Sequence, residues 1–418
     1  MAQLSNDCFA TGERPQRLAE ALAEIGARLR PVTEPEEVLL AACAGRVLAA
    51  DVIAPIAVPR LDNSAVDGFA VHFADLDPVR ETILPVIGRA AAGHPFAGEL
   101  PRGQALRIFT GATMPAGADT VMMQEDCRLE DGRVAIRPGI RRGANRRLAG
   151  EDVAAGATIL AAGRRLLPAD IGLAASVGLA RLTVRRPLRV ALFSTGDEVR
   201  DPGQPLPQGA IYDANRFTLA ALLAGHGFAV SDLGILPDRR EQLLAAISRA
   251  TEGHDALISS GGVSTGEEDH VKAAIAALGR LDLWRLAIKP GRPVALGMAG
   301  GKPYIGLPGN PAAAFLTYLR FARPILFRLA GAEGEEPHAF AVRAGFGYRK
   351  KTGRLEWVRV RLVADGAGGW IARKHPKEGA GLLTSIVMTD GIVELEEDRT
   401  EVAEGEYVRF HPYAAFMA

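Results

Sequence analysis

The sequence predicts a multidomain α/β protein with a parallel-sheet domain, a strand-rich N-terminal module and a small C-terminal β domain. Its 418 residues exceed one ordinary core and fit about three domains. From residue 188 onward, buried-type strands alternate with helices, which is typical of a parallel sheet covered on both faces. Residues 60–147 and 339–411 instead show short apolar runs broken by glycine, which indicates strands.

Three domains are expected, with boundaries at 1–187, 188–330 and 331–418. In the first domain, residues 15–30 place leucines and an isoleucine at helical spacing, and a second helix is expected at about 168–178. The strand-rich module at about 60–147 is inserted between these helices. The acidic, glycine-rich stretch 331–338 resembles a linker before the C-terminal domain.

The middle domain has the most regular pattern. Asn310 followed by Pro311 predicts the N-cap and first residue of a helix that runs to about Phe327. The other expected elements are strands at 188–194, 229–236, 255–260, 283–288 and 293–298, and helices at 215–227, 238–250 and 268–279.

The composition excludes several classes of function. Lys plus Arg equals Asp plus Glu, at 49 each, so no overall field attracts nucleic acid or an anionic membrane. No apolar run of about 18 residues could span a bilayer, and the N-terminus does not resemble a signal peptide. Cys8, Cys43 and Cys127 are far apart, which favours a reducing compartment over a disulfide framework. We therefore expect a cytoplasmic protein without nucleic-acid or membrane partners.

Four glycine-rich loops follow strands of the predicted parallel sheet, at 194–198, 259–266, 289–293 and 307–311. Ligands of such sheets bind where the strands end, because glycines there let backbone amides approach a phosphate. Each loop alone could be a plain turn, but four at one edge predict an anion site. The candidate residues in these loops are Ser194, Thr195, Gly196, Gly261, Gly262, Ser264, Lys289, Arg292 and Pro293.

Glu198, Asp238 and Asp269 follow a strand or open a helix near that edge. Either aspartate alone could merely complement a helix dipole. Together the three carboxylates could converge on Mg²⁺, which binds carboxylates together with phosphate oxygens and water.

Two acidic segments lie outside the α/β domain. In residues 59–71 a turn explains Asp62 and Asn63, but it explains Asp67 less well. Asp152 follows four arginines, and a solvated run of charge is an equally good explanation for it.

Eight segments, in order along the chain, resemble the molybdopterin molybdenumtransferase family, which is related to the E domain of gephyrin. They are PRLDNSAVDGFAV, RIFTGATMPAGADTVMMQED, GEDV, ALFSTGDEV, IYDANR, LISSGGVSTGEEDH, LAIKPGRPVALG and GLPGNPAAAF. The resemblance runs from about residue 15 to the C-terminus. It implies that molybdate is inserted into adenylylated molybdopterin with release of AMP, assisted by Mg²⁺, in an elongated homodimer with a C-terminal β-barrel.

The resemblance also assigns roles to individual residues. Asp67, Thr110 and Asp152 would face Glu198, Asp238 and Asp269 of the partner subunit across a composite active site. Lys289, Arg292 and Pro293 match the loop that handles molybdate, and Arg359 and Ser385 of the C-terminal domain would complete it. The match at Ser385 could be shifted by one residue to Thr384.

Two residues depart from the family pattern. Arg292 stands where a second lysine is frequent, so a guanidinium replaces a point charge. Ala313 replaces a serine that can contact molybdate. Three other functions stay open: a tungstate-handling paralogue, a non-catalytic gephyrin-like scaffold, and the preceding adenylylation step, for which the chain lacks room for a second domain of the same fold.

Overall fold

The computed structural model describes residues 15–262, 270–291, 293–334 and 336–417. None of the helices in these ranges has the length and apolar character needed to cross a membrane.

Residues 15–187 form an N-terminal domain with a β module inserted in it. Its elements are α1 (Leu18–Arg28), β1 (Pro35–Leu39), β2 (Val52–Ile53), β3 (Asn63–Ser64), β4 (Gly68–Val71), β5 (Thr82–Ala90), β6 (Ala105–Ile108), β7 (Thr120–Met123), β8 (Cys127–Glu130), β9 (Arg133–Ile136), β10 (Arg146–Arg147), β11 (Thr158–Leu160), α2 (Pro168–Ser176) and β12 (Arg181–Arg185). Antiparallel pairs β1–β12 and β2–β11 join the segments on either side of the insertion.

The inserted module is strand-rich, as the sequence predicts. Six strands form one sheet in the order β7-β4-β6-β5-β9-β8, and the pair β3–β10 connects it to the rest of the domain. Its helical turns, Phe73–Asp75 and Gln124–Asp126, are short 3-10 segments. The predicted helix at 15–30 is also confirmed: α1 buries Leu18, Ala21 and Ile25.

Residues 189–329 form the α/β domain. Its elements are β13 (Arg189–Thr195), β14 (Val199–Arg200), β15 (Ile211–Tyr212), α3 (Ala214–Gly225), β16 (Ala229–Leu236), α4 (Arg240–Gly253), β17 (Ala256–Ser260), α5 (His270–Leu278), β18 (Gly279–Arg285), β19 (Ile288–Lys289), β20 (Pro293–Ala299), β21 (Lys302–Leu307), α6 (Pro311–Thr317), a π-helical turn (Tyr318–Ala322) and α7 (Arg323–Leu329). Asn310 occupies the N-cap of α6 and Pro311 its first position, although the Asn310 side chain does not cap the helix.

The sheet order is β16-β13-β17-β21-β20-β18, and the first four strands are parallel. Both faces are covered, because successive side chains of a strand point in opposite directions. Val190 and Leu192 of β13 join a core with α3, α6 and α7, whereas Ala191 and Phe193 join a core with α4 and α5. This arrangement explains why the strand contains an unbroken apolar run.

Two features of the sheet differ from the sequence-based expectation. Strands β20 and β18 extend the parallel sheet in antiparallel pairing. The expected strand at 283–288 is split: β18 ends at Arg285, and Ile288 and Lys289 pair instead with the C-terminal domain. A local apolar pattern cannot indicate which of two sheets a strand joins.

Residues 340–417 form a closed five-stranded barrel with short additions. Its elements are β22 (Phe340–Ala344), β23 (Tyr348–Arg349), β24 (Leu355–Ala364), β25 (Trp370–Lys374), α8 (Thr384–Val387), β26 (Gly391–Leu395), β27 (Glu401–Val402), β28 (Tyr407–Pro412) and α9 (Ala414–Met417). The ring β24-β25-β22-β28-β26 closes by pairing β26 with β24, so none of these five strands is left with an open edge.

The N-terminal and α/β domains are joined by a buried ion cluster around Asp255. The Asp255 side chain is 3% exposed and accepts hydrogen bonds from Arg186 and from the amide and guanidinium of Arg189. Burial alone would raise the pKa of Asp255, but the bonds from Arg186 and Arg189 lower it below its usual range. Arg186 also pairs with Glu34, whose side chain is 72% exposed.

We predict that Asp255→Asn lowers the free energy of unfolding by about 3 kcal/mol, because two arginines would lose a buried carboxylate partner. Denaturant unfolding of the purified protein measures the change. Glu34→Gln is the matched control, since it removes an exposed partner of the same Arg186 and should leave stability nearly unchanged. Equal effects of the two substitutions would contradict this explanation of the junction.

Candidate active site

A cleft of about 1270 Å³ lies between the edge of the α/β sheet and the barrel. The sheet wall comes from the loops that follow β13, β16, β17 and β21. The β18–β20 connection belongs to the barrel wall, because its strand β19 pairs with β24. The barrel wall comes from β23, β24, β25 and the segment that follows β25. The predicted site residues among those that line the cleft are Thr195, Gly196, Glu198, Asp238, Gly261, Gly262, Lys289, Pro293 and Arg359.

Gly261 and Gly262 place the loop after β17 directly against the end of β13. Both have positive φ, at 87° and 66°. A Cβ on Gly262 would come within 2.5 Å of Val271, and one on Gly261 within 3.2 Å of the Thr195 carbonyl oxygen. Only glycine fits this path, so the backbone itself forms this part of the cleft surface.

Asn215 does not line the cleft itself, but it supports two of the loops that do, and it was not among the predicted site residues. Its side-chain amide donates to Ser260 Oγ at 2.7 Å and to the Gly309 carbonyl at 2.8 Å, which ties two of the predicted loops together. Helix α3 presents it there because Asp213 caps the helix by accepting from the Arg216 amide. The only local signal was the polar run before an apolar helix.

The loop that carries Lys289 packs tightly on α6. Gly291 has φ of 99°, and a Cβ there would lie 2.4 Å from Thr317 Oγ1 and 3.6 Å from the Ala313 Cβ. Ala313 is 1% exposed and lines the cleft beside this loop. The amides of Ala312 and Ala313 already donate to the Ala380 carbonyl of the barrel, at 2.9 and 3.2 Å.

Lys289 is held by the barrel. Its Nζ lies 3.2 Å from Glu356 Oε2 and donates to the Tyr348 hydroxyl at 3.1 Å. Glu356 is 1% exposed, and its other oxygen accepts from Arg354 Nε at 2.6 Å. The carboxylate of Glu356 thus binds two cations and fixes the position of Lys289.

Lys374 and Glu378 form a second ion pair in the cleft, which the sequence analysis missed. Lys374 Nζ lies 2.6 Å from Glu378 Oε1, while Glu378 Oε2 lies 3.7 Å from Lys289 Nζ. No local pattern marks these residues, because barrel closure is what brings them beside Lys289.

Arg359 is a buried cation without a carboxylate partner among the described residues. It is 7% exposed, its Nη1 donates to the Gly379 carbonyl at 3.0 Å, and its Nε has no hydrogen-bond partner. Burial lowers the pKa of Arg359 below its usual value. A guanidinium kept in this state at a cleft wall is suited to an anionic ligand.

Two predicted binding residues do not line the cleft. Ser194 is buried within β13, and its hydroxyl has no hydrogen-bond partner in the part of the chain that the structure describes. Ser385 is buried in α8, where its hydroxyl donates to the Leu382 carbonyl, while the neighbouring Thr384 is exposed.

Asp67, Thr110 and Asp152 belong to the N-terminal domain and do not line this chain's own cleft. Thr110 donates both its amide and its hydroxyl to Asp67 Oδ1, each at 2.8 Å. These two bonds lower the pKa of Asp67 below its ordinary value, so the carboxylate is ionised at neutral pH. Asp152 lies on an exposed loop, and its amide donates to the Val58 carbonyl.

Three predicted site residues, Ser264, Asp269 and Arg292, lie outside the described residues. Within the described ranges, no group of three or more histidine, cysteine, aspartate or glutamate side chains could hold a metal. Glu198 and Asp238 are thus the two predicted metal ligands that the structure brings to one cleft.

Family models match three consecutive parts of the chain. The MoeA N-terminal region (domains I and II) matches residues 16–178, a probable molybdopterin binding domain matches 191–328, and the MoeA C-terminal region (domain IV) matches 341–413. Together these matches span nearly all of the described sequence.

Similar proteins cover almost the whole chain. A molybdopterin molybdenumtransferase of Haemophilus influenzae is 38% identical over 91% of this chain and 94% of its own length. The Nostoc protein of the same name is 37% identical over 89% and 87%. The crystal structure of a molybdopterin biosynthesis MoeA protein from Pyrococcus horikoshii is 31% identical with a TM-score of 0.76, covering 96% of this chain and 99% of that one.

We predict opposite effects on stability for Arg359, which is buried in the barrel, and Arg320, which pairs with Glu394 of the barrel from the α/β domain. Arg359→Met should leave the free energy of unfolding equal to or above the wild-type value, because a buried cation without a carboxylate is removed. Arg320→Met should lower it by about 3 kcal/mol, since the buried carboxylate of Glu394 would lose its closest cation, at 2.9 Å. Denaturant unfolding of both variants tests this, and a large loss for Arg359→Met would contradict the assignment of Arg359 to ligand binding.

Proposed function

The chain belongs to the molybdopterin molybdenumtransferase family, and from that premise we propose that its cleft inserts molybdate into adenylylated molybdopterin and releases AMP. This is the last step of molybdenum cofactor synthesis. One observation carries the proposal: the barrel wall holds Arg359, a buried cation without a carboxylate partner among the described residues, beside Lys289. Such a wall suits an oxyanion like molybdate.

The two walls have different tasks in this proposal. Lys289 and Arg359 on the barrel side bind and orient molybdate, which carries two negative charges. On the sheet side, the backbone at Gly261 and Gly262 lies open to phosphate groups of the nucleotide-linked substrate. Catalysis then rests on holding the molybdenum oxyanion against the dithiolene while preorganised charges stabilise the phosphoanhydride as it is hydrolysed.

We also propose that Glu198 and Asp238 hold Mg²⁺ together with substrate. The donor set fits, because Mg²⁺ is commonly bound by one or two carboxylates, phosphate oxygens and water, and both carboxylates line the same cleft. When bound, the ion would supply positive charge that neutralises the phosphate oxygens. The residues of this chain position the substrate, and one carboxylate orients the attacking water.

A composite site in a homodimer is the second part of the proposal. Asp67 and Thr110 form an ionised, hydrogen-bonded pair that lies outside this chain's own cleft. In the same domain, Leu61 is 58% exposed and Leu148 is 48% exposed, and their segments meet where the Ala149 amide donates to Asp62. Exposed apolar side chains beside polar groups are typical of a surface that another subunit covers. We propose that Asp67, Thr110 and Asp152 complete the cleft of the partner subunit.

A cytoplasmic location remains part of the proposal. Cys43 and Cys127 are free thiols. Burial raises the pKa of Cys127 to about 11, so its thiol is a poor nucleophile. Isolated, unpaired cysteines of this kind are typical of proteins in a reducing compartment.

We predict that Asp238→Asn reduces AMP release from adenylylated molybdopterin and molybdate by about 100-fold and raises the Mg²⁺ concentration for half-maximal rate. Glu241→Gln is the matched control: it removes an exposed acid from the first turn of α4, without affecting the cleft lining. If both variants lose activity equally, Asp238 acts through the helix dipole. If Asp238→Asn retains wild-type activity, its role in metal binding is wrong.

We predict that Asp67→Asn and Glu198→Gln complement one another. Each variant alone should be inactive, but co-expression should restore about a quarter of wild-type AMP release, because half of randomly formed dimers carry one intact site of two. The activity of the co-expressed mixture measures this, and separately tagged, co-purified heterodimers should show about half of wild-type activity, because each of them carries one intact site of two. A strictly monomeric protein, or no recovery in purified heterodimers, would contradict the composite site.

A further inference from the structure

Tyr348 lies beside two ammonium groups: its hydroxyl accepts a hydrogen bond from Lys289, and Lys374 lies near its ring. Lys289 Nζ lies 5.8 Å from the ring centroid and Lys374 Nζ lies 5.5 Å from it. Both lysines therefore interact with one aromatic side chain as well as with carboxylates. Like charges placed this closely repel one another unless an anion lies between them.

The two carboxylates of this cluster differ in how firmly they are held. Glu356 is 1% exposed and both of its oxygens are occupied, by Arg354 on one side and by Lys289 and Tyr348 on the other. The Glu378 side chain is 46% exposed and lies between Lys374 and Lys289, at 2.6 and 3.7 Å. Glu356 is therefore a fixed partner of Lys289 and Arg354. Glu378 can turn into solvent at a small cost in free energy, because exposed ion pairs contribute little.

The balance of charge favours a dianion. The described lining of the barrel wall holds two carboxylates, Glu356 and Glu378, against five cations, so positive charges exceed negative ones by three. The cations are Lys289, Arg354, Arg359, Lys374 and Lys377. Arg359 is bonded to the Gly379 carbonyl, next to Glu378 in the chain. The Glu378 carboxylate thus lies among the cations that would bind a tetrahedral oxyanion.

We propose that Glu378 is a charge place-holder that occupies the oxyanion position until molybdate displaces it, and that Lys374 is an additional ligand of the bound oxyanion. This inference rests on the proposed function of the cleft. In the absence of substrate, Glu378 screens Lys289 from Lys374. When the dianion arrives, it takes over both lysines, and the released carboxylate turns toward solvent, so that molybdate competes with a weaker, singly charged internal anion.

The test measures binding of molybdate alone by equilibrium dialysis with elemental analysis of the retained molybdenum. We expect Glu378→Gln to bind molybdate about five- to tenfold more tightly than wild type, because the internal competitor has lost its charge. Lys374→Gln should bind about tenfold more weakly. Glu401→Gln, which removes an exposed barrel carboxylate paired with Arg349, should bind as wild type does.

Kinetics distinguish a place-holder from a structural residue. Glu378→Gln should lower KM for molybdate with kcat within about twofold of wild type, whereas a merely structural role would reduce kcat or stability. In the double variant Glu378→Gln, Lys374→Gln, most of the gain in molybdate affinity should disappear, since the two side chains form an ion pair and their effects are not independent. Thermal unfolding of each variant confirms that the fold is intact.

Two outcomes would overturn the inference: Glu378→Gln binding molybdate no more tightly than wild type, or Lys374→Gln binding it equally well. Either outcome with normal AMP release by the wild-type protein leaves the proposed function standing. Absence of AMP release by the wild-type protein, in contrast, would refute the proposed function, while the dialysis result would still decide whether Glu378 competes with the oxyanion.

Discussion

The docking of the barrel onto the α/β domain is the interaction on which the cleft depends. Strand β19 pairs with β24, and the Ala380 carbonyl accepts the first free amides of α6. One apolar core runs without interruption from Leu18 of α1 through the α/β sheet to Trp357 and Phe416 of the barrel. Because this core is shared, the two walls of the cleft keep a fixed separation, and binding groups carried by different domains can act on one substrate.

That fixed geometry lets the protein hold charges that would otherwise be unfavourable. On the barrel side, Arg359 is buried with no carboxylate partner among the described residues, and Lys289 and Lys374 share Glu378. On the sheet side, Glu198 and Asp238 face the same space. The barrel wall is positively charged and suits an oxyanion, whereas the carboxylates of the sheet wall suit a cation bound to phosphate. The two ligands can therefore occupy opposite sides of one cleft. Elsewhere in the molecule, buried ions such as Asp255 and Glu394 are paired, which indicates that the unpaired guanidinium is a feature of the site.

The sequence predicts much of this organisation, for identifiable reasons. Strand β13 is a bounded apolar run, and the glycine-rich loop at its end indicates the sheet edge. Pairing across domains has no local signature: Ile288 and Lys289 read as the end of one strand, yet they join the barrel. Lys374 and Glu378 could not be predicted as site residues, because only the closed barrel brings them next to Lys289. Ser385 illustrates a different limit of sequence-based prediction. Its position in the sequence suggested a binding role, but its hydroxyl donates to a backbone carbonyl inside the barrel domain.

The most direct test of this account is an anomalous difference map, recorded at the molybdenum edge, from crystals of the protein soaked with molybdate. The account predicts one strong peak on the barrel wall, within hydrogen-bonding reach of Lys289, Arg359 and Lys374, with Glu378 displaced toward solvent. A peak on the sheet wall beside Glu198 and Asp238, or no peak in the cleft at molybdate concentrations that saturate AMP release, would contradict it.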